Sequence, residues 1–151
     1  MNRREKIRAD LSPLYLSIFD VLCAELSNEW QPYFGFRTLK AQRVLFDRGR
    51  SQPGDIITWA MPGESPHNYG CASDWTIFNE GIPLWPKASD PIWKVYEAAC
   101  LKAGARWGGN FSRKDCIHNE LPLSISWKEV GQVFSEQGEV KAKEFIEARL
   151  A

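Results

Sequence analysis

Histidine is nearly missing from this chain: 151 residues contain two, His67 and His118. The four cysteines, Cys23, Cys71, Cys100 and Cys116, include no CxxC pair, so neither a zinc-finger framework nor a disulfide scaffold is expected. They read as reduced thiols of a protein that folds in a reducing compartment. No excess charge of one sign exists, because nineteen basic and nineteen acidic side chains cancel; a nucleic-acid partner is therefore not expected. No apolar run approaches the ~20 residues that cross a bilayer, so membrane insertion is not expected. The basic start Met1-Asn2-Arg3-Arg4-Glu5-Lys6-Ile7-Arg8 is followed by no apolar run with a small-residue cleavage site. We expect synthesis in the cytoplasm without a signal peptide. Repeats, low-complexity tracts and linkers are also missing. One domain spanning residues 1–151 is expected, with a core at about 12–122 and a helical extension at about 126–150.

What the chain has in plenty is tryptophan, seven residues. Indole suits a core, and it also suits a carbohydrate or peptide groove. Ser12-Pro13 opens a helix over 13–28, and Tyr33 to Phe36 suggest a short strand. Thr38 caps a helix that stops near Gly49. Strands are expected at 56–59, 71–78, 82–85 and 116–121, with a hairpin turn at Asn79-Glu80-Gly81. A helix opens at Asp90-Pro91 and closes at Gly104. Ser126-x-x-Glu129 is a capping box for a further helix, which Gly138 breaks before a last one at 139–150. The class is α+β, a small antiparallel sheet with helices packed on it.

Both histidines stand near carboxylates in turn-rich stretches, His67 before Asp74 and His118 after Asp115. Two imidazoles and a carboxylate make a ligand set that suits one zinc ion, with Asp115 available as a base. An odd separation of seven would put His67 and Asp74 on opposite faces of one strand. His67 is therefore placed in a loop before the strand, Asp74 within it, and Gly70 at the bend. By the same logic Asp115 lies at a turn and His118 inside a strand. Glu120 shares a face with His118, where it either orients the imidazole or is structural. The residues alone leave core, surface and ligand readings of the histidines open.

The stretch Ser65-x-His67-x-x-Gly70-x-Ala72-x-Asp74 resembles the signature of the zinc peptidases that include D-Ala-D-Ala carboxypeptidases and L-alanyl-D-glutamate endopeptidases, a fold shared with the hedgehog signalling domain. Asp115-x-x-His118 is similar to the second half of that family's site. Arg37-Thr38-x-x-x-Gln42, Gly49-Arg50-x-x-Pro53-Gly54 and Trp107-Gly108-Gly109 resemble segments of the endopeptidase branch. The resemblance implies that His67, Asp74 and His118 hold zinc and that Asp115 is the general base. It implies that Arg37 meets the substrate carbonyl or carboxylate, with Ser65, Gln42 and Trp107 as further substrate contacts. The implied substrate is a peptidoglycan stem peptide, cut at L-Ala–D-Glu rather than D-Ala-D-Ala, by a monomer. Without a leader, the route to the wall or periplasm would be a holin-type pore, as for a phage endolysin.

Three rivals stand beside this reading. A two-histidine, one-carboxylate set also describes a non-haem iron oxygenase. A thiol hydrolase would pair Cys71 or Cys116 with His118. A non-catalytic zinc-containing binding module would need no base at Asp115.

Overall fold

The computed structural model describes residues 1–151. Helices α1 (Arg3–Arg8), α2 (Leu16–Glu25), α3 (Leu39–Asp47), α4 (Trp93–Ala103), α5 (Trp127–Gln137) and α6 (Glu139–Glu147) accompany strands β1 (Trp30–Phe34), β2 (Ala72–Asn79), β3 (Ile82–Pro83), β4 (Arg106–Trp107) and β5 (His118–Glu120). The five strands form one antiparallel sheet in the order β1-β2-β5-β4, with β3 pairing β2. The expected α+β class is present. The chain divides into two compact units, Met1–Phe36 with Gly70–Pro122, and Arg37–Tyr69 with Leu123–Ala151.

The first unit holds the whole sheet with α1, α2 and α4. Its core is aromatic: Phe19 packs on Trp75 with ring centroids 5.4 Å apart, and Trp30 stacks on Tyr96 at 5.6 Å. Three of the tryptophans, Trp30, Trp75 and Trp93, are thus consumed by packing. Helix α2 begins three residues later than its sequence signals suggest. The Ser12 hydroxyl and carbonyl accept from Leu14 and Tyr15 in a preceding turn, while its N–H donates to Gly70 at 3.0 Å. Gly70 sits at φ +66°, and a Cβ there would lie 2.7 Å from the Ser12 nitrogen, so only glycine allows both bend and approach. Helix α1 has no counterpart in the sequence reading. An Asn2–Glu5 capping box starts it, and Arg4 ties it down by donating to the carbonyls of Cys23, Leu26, Ser27 and Trp30 where α2 ends. Strand β1 also lies three residues earlier than expected, with Trp30 and Pro32 facing inward.

The second unit contains α3, a 3₁₀ turn at Pro66–Tyr69, and α5 with α6. The Thr38 cap, the Ser126–Glu129 capping box and the break at Gly138 are all present. Residues 56–59, expected as a strand, form no ladder. The Thr58 hydroxyl is spent on the Ala60 N–H and the Gln42 amide, and its carbonyl on Arg50. Ile56, Ile57 and Trp59 consequently face outward. The C-terminal helices pack on the segment leading to His67. Trp127 stacks on Tyr69 at 6.0 Å, and Gly131 lies so close to Glu64 that a Cβ would sit 2.3 Å from its Cγ.

Candidate metal centre

Each half of the centre is assembled from its own backbone. In the sheet, register sets Asp74 of β2 directly opposite His118 of β5. Their side chains meet at 3.1 Å, Asp74 Oδ1 to His118 Nδ1, and the far ring nitrogen, Nε2, lies 2.9 Å from Glu120 Oε1. Arg106 of β4, paired with Glu120 in the ladder, brings its guanidinium to 3.6 Å from the same carboxylate. Burial by itself lowers the pKa of His118. Hydrogen bonds to Asp74 and Glu120, with their charges, outweigh it and push the imidazole up to about 10. Two carboxylates facing one buried ring make a place for positive charge, which a proton or a divalent cation can fill.

Register is held from beneath by a polar network. Ser73 and Asn119 are the neighbouring ladder pair. The Asn119 amide donates to the Ser73 carbonyl, the Ser73 hydroxyl and the Tyr96 hydroxyl, and its oxygen accepts from Tyr15. Trp75 Nε1 donates to Ser73 as well. Every one of these side chains is buried.

Asp115 lies on the exposed turn entering β5, as the spacing implied. The His118 N–H donates to its carbonyl at 3.1 Å, and its own N–H donates to Gly108 at 2.9 Å. Trp107 Nε1 donates to the Cys116 carbonyl at 2.8 Å, in the middle of that turn. Trp107-Gly108-Gly109 is therefore a clamp: a Cβ at Gly108 would lie 2.3 Å from the Asp115 carbonyl oxygen, and one at Gly109 2.2 Å from the Trp107 ring.

In the second unit, the 3₁₀ turn carries His67. The Ser65 hydroxyl accepts from the His67 N–H, and the His67 carbonyl accepts from Arg37 N–H. Arg37 Nη1 donates to the Gln42 carbonyl oxygen at 3.0 Å, while the Gln42 amide donates to Ala60. Gln42 is wholly buried, so its amide braces Arg37 from inside. Asn68 completes the frame, accepting from Gly63 and donating to the Arg37 carbonyl. The sequence reading passed over Asn68; its one signal was a short amide side chain inside a turn, a residue type that bonds nearby backbone.

The nitrogen and carboxylate atoms of His67, Asp74 and His118 all lie within 4.8 Å of one another, and the three residues are buried. Such a spacing, with two imidazoles and one carboxylate, fits a single divalent cation. Glu120 at the outer nitrogen of His118 supplies the orienting carboxylate that metal-bound histidines commonly have. The thiols do not fit a nucleophile's role. Burial pushes Cys71 up to about 12 and raises Cys116, and neither forms a disulfide. No helix is long and apolar enough to cross a membrane.

Comparison with known proteins agrees with this geometry. A family model described as D-alanyl-D-alanine carboxypeptidase matches residues 60–121, the span holding all three candidate ligands and Asp115. The peptidoglycan L-alanyl-D-glutamate endopeptidase CwlK of Bacillus subtilis (strain 168) is 32% identical over 126 residues, 76% of this chain and 75% of that protein. The fold is shared with the Serratia marcescens L-Ala D-Glu endopeptidase ChiX, at TM-score 0.56 and 20% identity over 91% of each chain. It is shared also with the vancomycin-resistance D,D-dipeptidase VanXYg, at TM-score 0.50 and 22% identity over 89% of this chain and 57% of the other. The chain belongs to the peptidase family of the D-alanyl-D-alanine carboxypeptidases and peptidoglycan L-alanyl-D-glutamate endopeptidases.

Proposed function

We propose that this protein is a zinc peptidase that hydrolyses the L-Ala–D-Glu bond in the stem peptides of peptidoglycan, the whole chain serving as one peptidase domain. The observation that carries the reading is the buried His67, Asp74 and His118 cluster, in a chain whose relative CwlK is named for that bond. Zinc held by these residues would polarise the scissile carbonyl and lower the pKa of a water from about 16 to about 7. Asp115, exposed on its turn, accepts the proton of the attacking water and returns it to the departing amine nitrogen. Arg37, held by Gln42, faces the negative charge that grows on the carbonyl oxygen, a contact of the kind whose loss costs about 3–4 kcal/mol. Ser65 acts by fixing the backbone of His67, and Trp107 by fixing the turn that carries Asp115. The reaction takes place at the cell wall.

The description of the matching family model favours a second bond, D-Ala-D-Ala. One experiment separates the two. Purified sacculi are incubated with the protein, with and without a zinc chelator, and the products are weighed by mass spectrometry. New D-Glu amino termini, lost on chelation and restored by zinc, are expected. Release of terminal D-Ala instead moves the protein to the carboxypeptidase branch. Cleavage that survives chelation overturns the zinc reading. In parallel, Asp115→Asn retains zinc binding and loses turnover; an active Asp115→Asn protein refutes the base.

A further inference from the structure

The basic N-terminal run sorts into two faces. Arg4 and Arg8 are spent inside the first unit, Arg4 on four carbonyls and Arg8 on Asp20 at 2.7 and 2.8 Å. Arg3 and Lys6, one turn apart, face the other way and line a groove of about 570 Å³ with Tyr33, Phe34 and Phe36 of β1 and its extension. Arg3 is set in place over the Phe78 ring at 4.7 Å. Tyr33 and Phe36 are both about two-fifths exposed, and Trp85, more than half exposed, meets Tyr33 edge-to-face at 4.9 Å. Asp10 is the one acidic side chain on the groove, so its charge balance is positive. A neutral chain thus carries a basic, aromatic groove.

The groove's position follows from the sheet. Phe34, which lines the groove, is the ladder partner of Asp74, so one wall of the groove belongs to the strand next to a candidate metal ligand. An L-Ala–D-Glu bond lies one residue from the lactyl group that joins the stem to the sugar, and one residue spans about 3.5 Å. With the lactyl group adding a similar span, the sugar of such a substrate lies about 7 Å from the scissile carbonyl, a reach of between one and two strand spacings. Sugar rings stack on exposed aromatic faces, and the carboxylates of stems borne by neighbouring sugars of the same glycan strand complement Arg3 and Lys6.

We infer that this groove is a subsite for the glycan strand of peptidoglycan, Tyr33 and Phe36 receiving the sugar and Arg3 and Lys6 the carboxylates of adjacent stems on that strand. The inference rests on the proposed L-Ala–D-Glu reading, because a D-Ala-D-Ala bond lies too far along the stem for the sugar to reach the groove.

The test is co-sedimentation of the full-length Asp115→Asn protein with purified sacculi, against Arg3→Glu/Lys6→Glu and Tyr33→Ala in the same background. Lys141→Glu/Lys143→Glu, on helix α6 of the second unit, controls for bulk charge. The groove reversal is expected to weaken binding about tenfold at low ionic strength, with the gap closing as salt rises. Tyr33→Ala is expected to weaken it several-fold at any salt, as for an aromatic contact, and the α6 control leaves it unchanged. Groove variants that bind like their parent overturn the inference. So do variants that lose affinity for a sugar-free stem peptide by the same factor as for sacculi. If the wild-type protein cleaves nothing while the groove variants still lose sacculus binding, the peptidase reading fails and the groove stands.

Discussion

Replacing Gly108 by alanine tests whether the Asp115 turn is placed by close packing. Gly108 does not occupy the left-handed region, so alanine meets no backbone strain there. What it meets is the Asp115 carbonyl oxygen at 2.3 Å and the His118 Cβ at 3.1 Å. Ordinary contact begins near 3.4 Å, so the Asp115 carbonyl must retreat by about 1 Å, whereas His118 needs only a few tenths. Overpacking of this kind costs about 1–3 kcal/mol, offset by about 0.4–1 from the stiffer unfolded chain. Misplacement of a catalytic group by about 1 Å can cost about a hundredfold in rate. The expected result is thus a folded Gly108→Ala protein, destabilised by about 1–2 kcal/mol, whose turnover on sacculi falls about a hundredfold. Its zinc affinity, read by competition with a fluorescent chelator, falls far less, because His118 moves far less. Turnover within threefold of wild type would refute the argument that Trp107-Gly108-Gly109 sets the turn. Equal losses in turnover and zinc affinity would refute the claim that Asp115 is the group displaced.

Two further perturbations probe the sheet unit. Asn119→Ala removes four buried hydrogen bonds, leaving the Tyr15 hydroxyl only Ser73 and the Tyr96 hydroxyl only the Ile117 carbonyl; a loss of about 2–4 kcal/mol is expected in urea unfolding of the metal-free protein, and a loss under about 1 kcal/mol would show that water replaces the amide. Arg8→Ala removes a half-exposed ion pair that holds the Asp20 carboxyl below its usual value, through its hydrogen bond first. A depressed folded pKa stabilises above the unfolded pKa and is lost as pH falls through the folded one. The small gap between wild type and Arg8→Ala in denaturant midpoint should therefore be present at neutral pH and close as pH falls below the usual carboxylate range; a gap independent of pH would exclude the ion pair as its source.

The backbone placement of the candidate residues was legible because its signals are local. An odd spacing from His67 to Asp74 demanded a bend, and Gly70 supplies it with φ +66°. Asp-x-x-His placed the carboxylate on a turn and the imidazole in a strand, and the turn closes through the His118 N–H. Caps at Thr38, Ser126 and Gly104 act within four residues and were read correctly. What escaped depends on distant partners. Helix α1 is six residues long, too short to show periodicity, and survives because Arg4 reaches carbonyls 19 to 26 residues away. Ile56 to Trp59 have strand-forming side chains but no strand to pair with. Gln42 looks like a helix-surface residue until Arg37 and Ala60 claim its amide. The role of residues 126–151 was hidden because their partners, Gly63, Glu64 and Tyr69, lie some 60 residues earlier.

The buried amide beneath the candidate metal ligands has a reason in the same terms. A strand with one wet face is kept in register by its apolar alternation, since a slip of one residue would turn every apolar side chain to water. Strand β2 has no such protection where it matters, because residues 72 to 76 are all buried on both faces. A slipped strand would still be buried, and Asp74 would no longer face His118. Ser73 and Asn119 supply the missing penalty. Their pairing leaves Tyr15, Trp75 and Tyr96 satisfied in one register, and any slip would strand several buried donors at about 1–3 kcal/mol each. Polar groups that add little net stability thus make the alignment of Asp74 with His118 the one arrangement this sheet can adopt without loss.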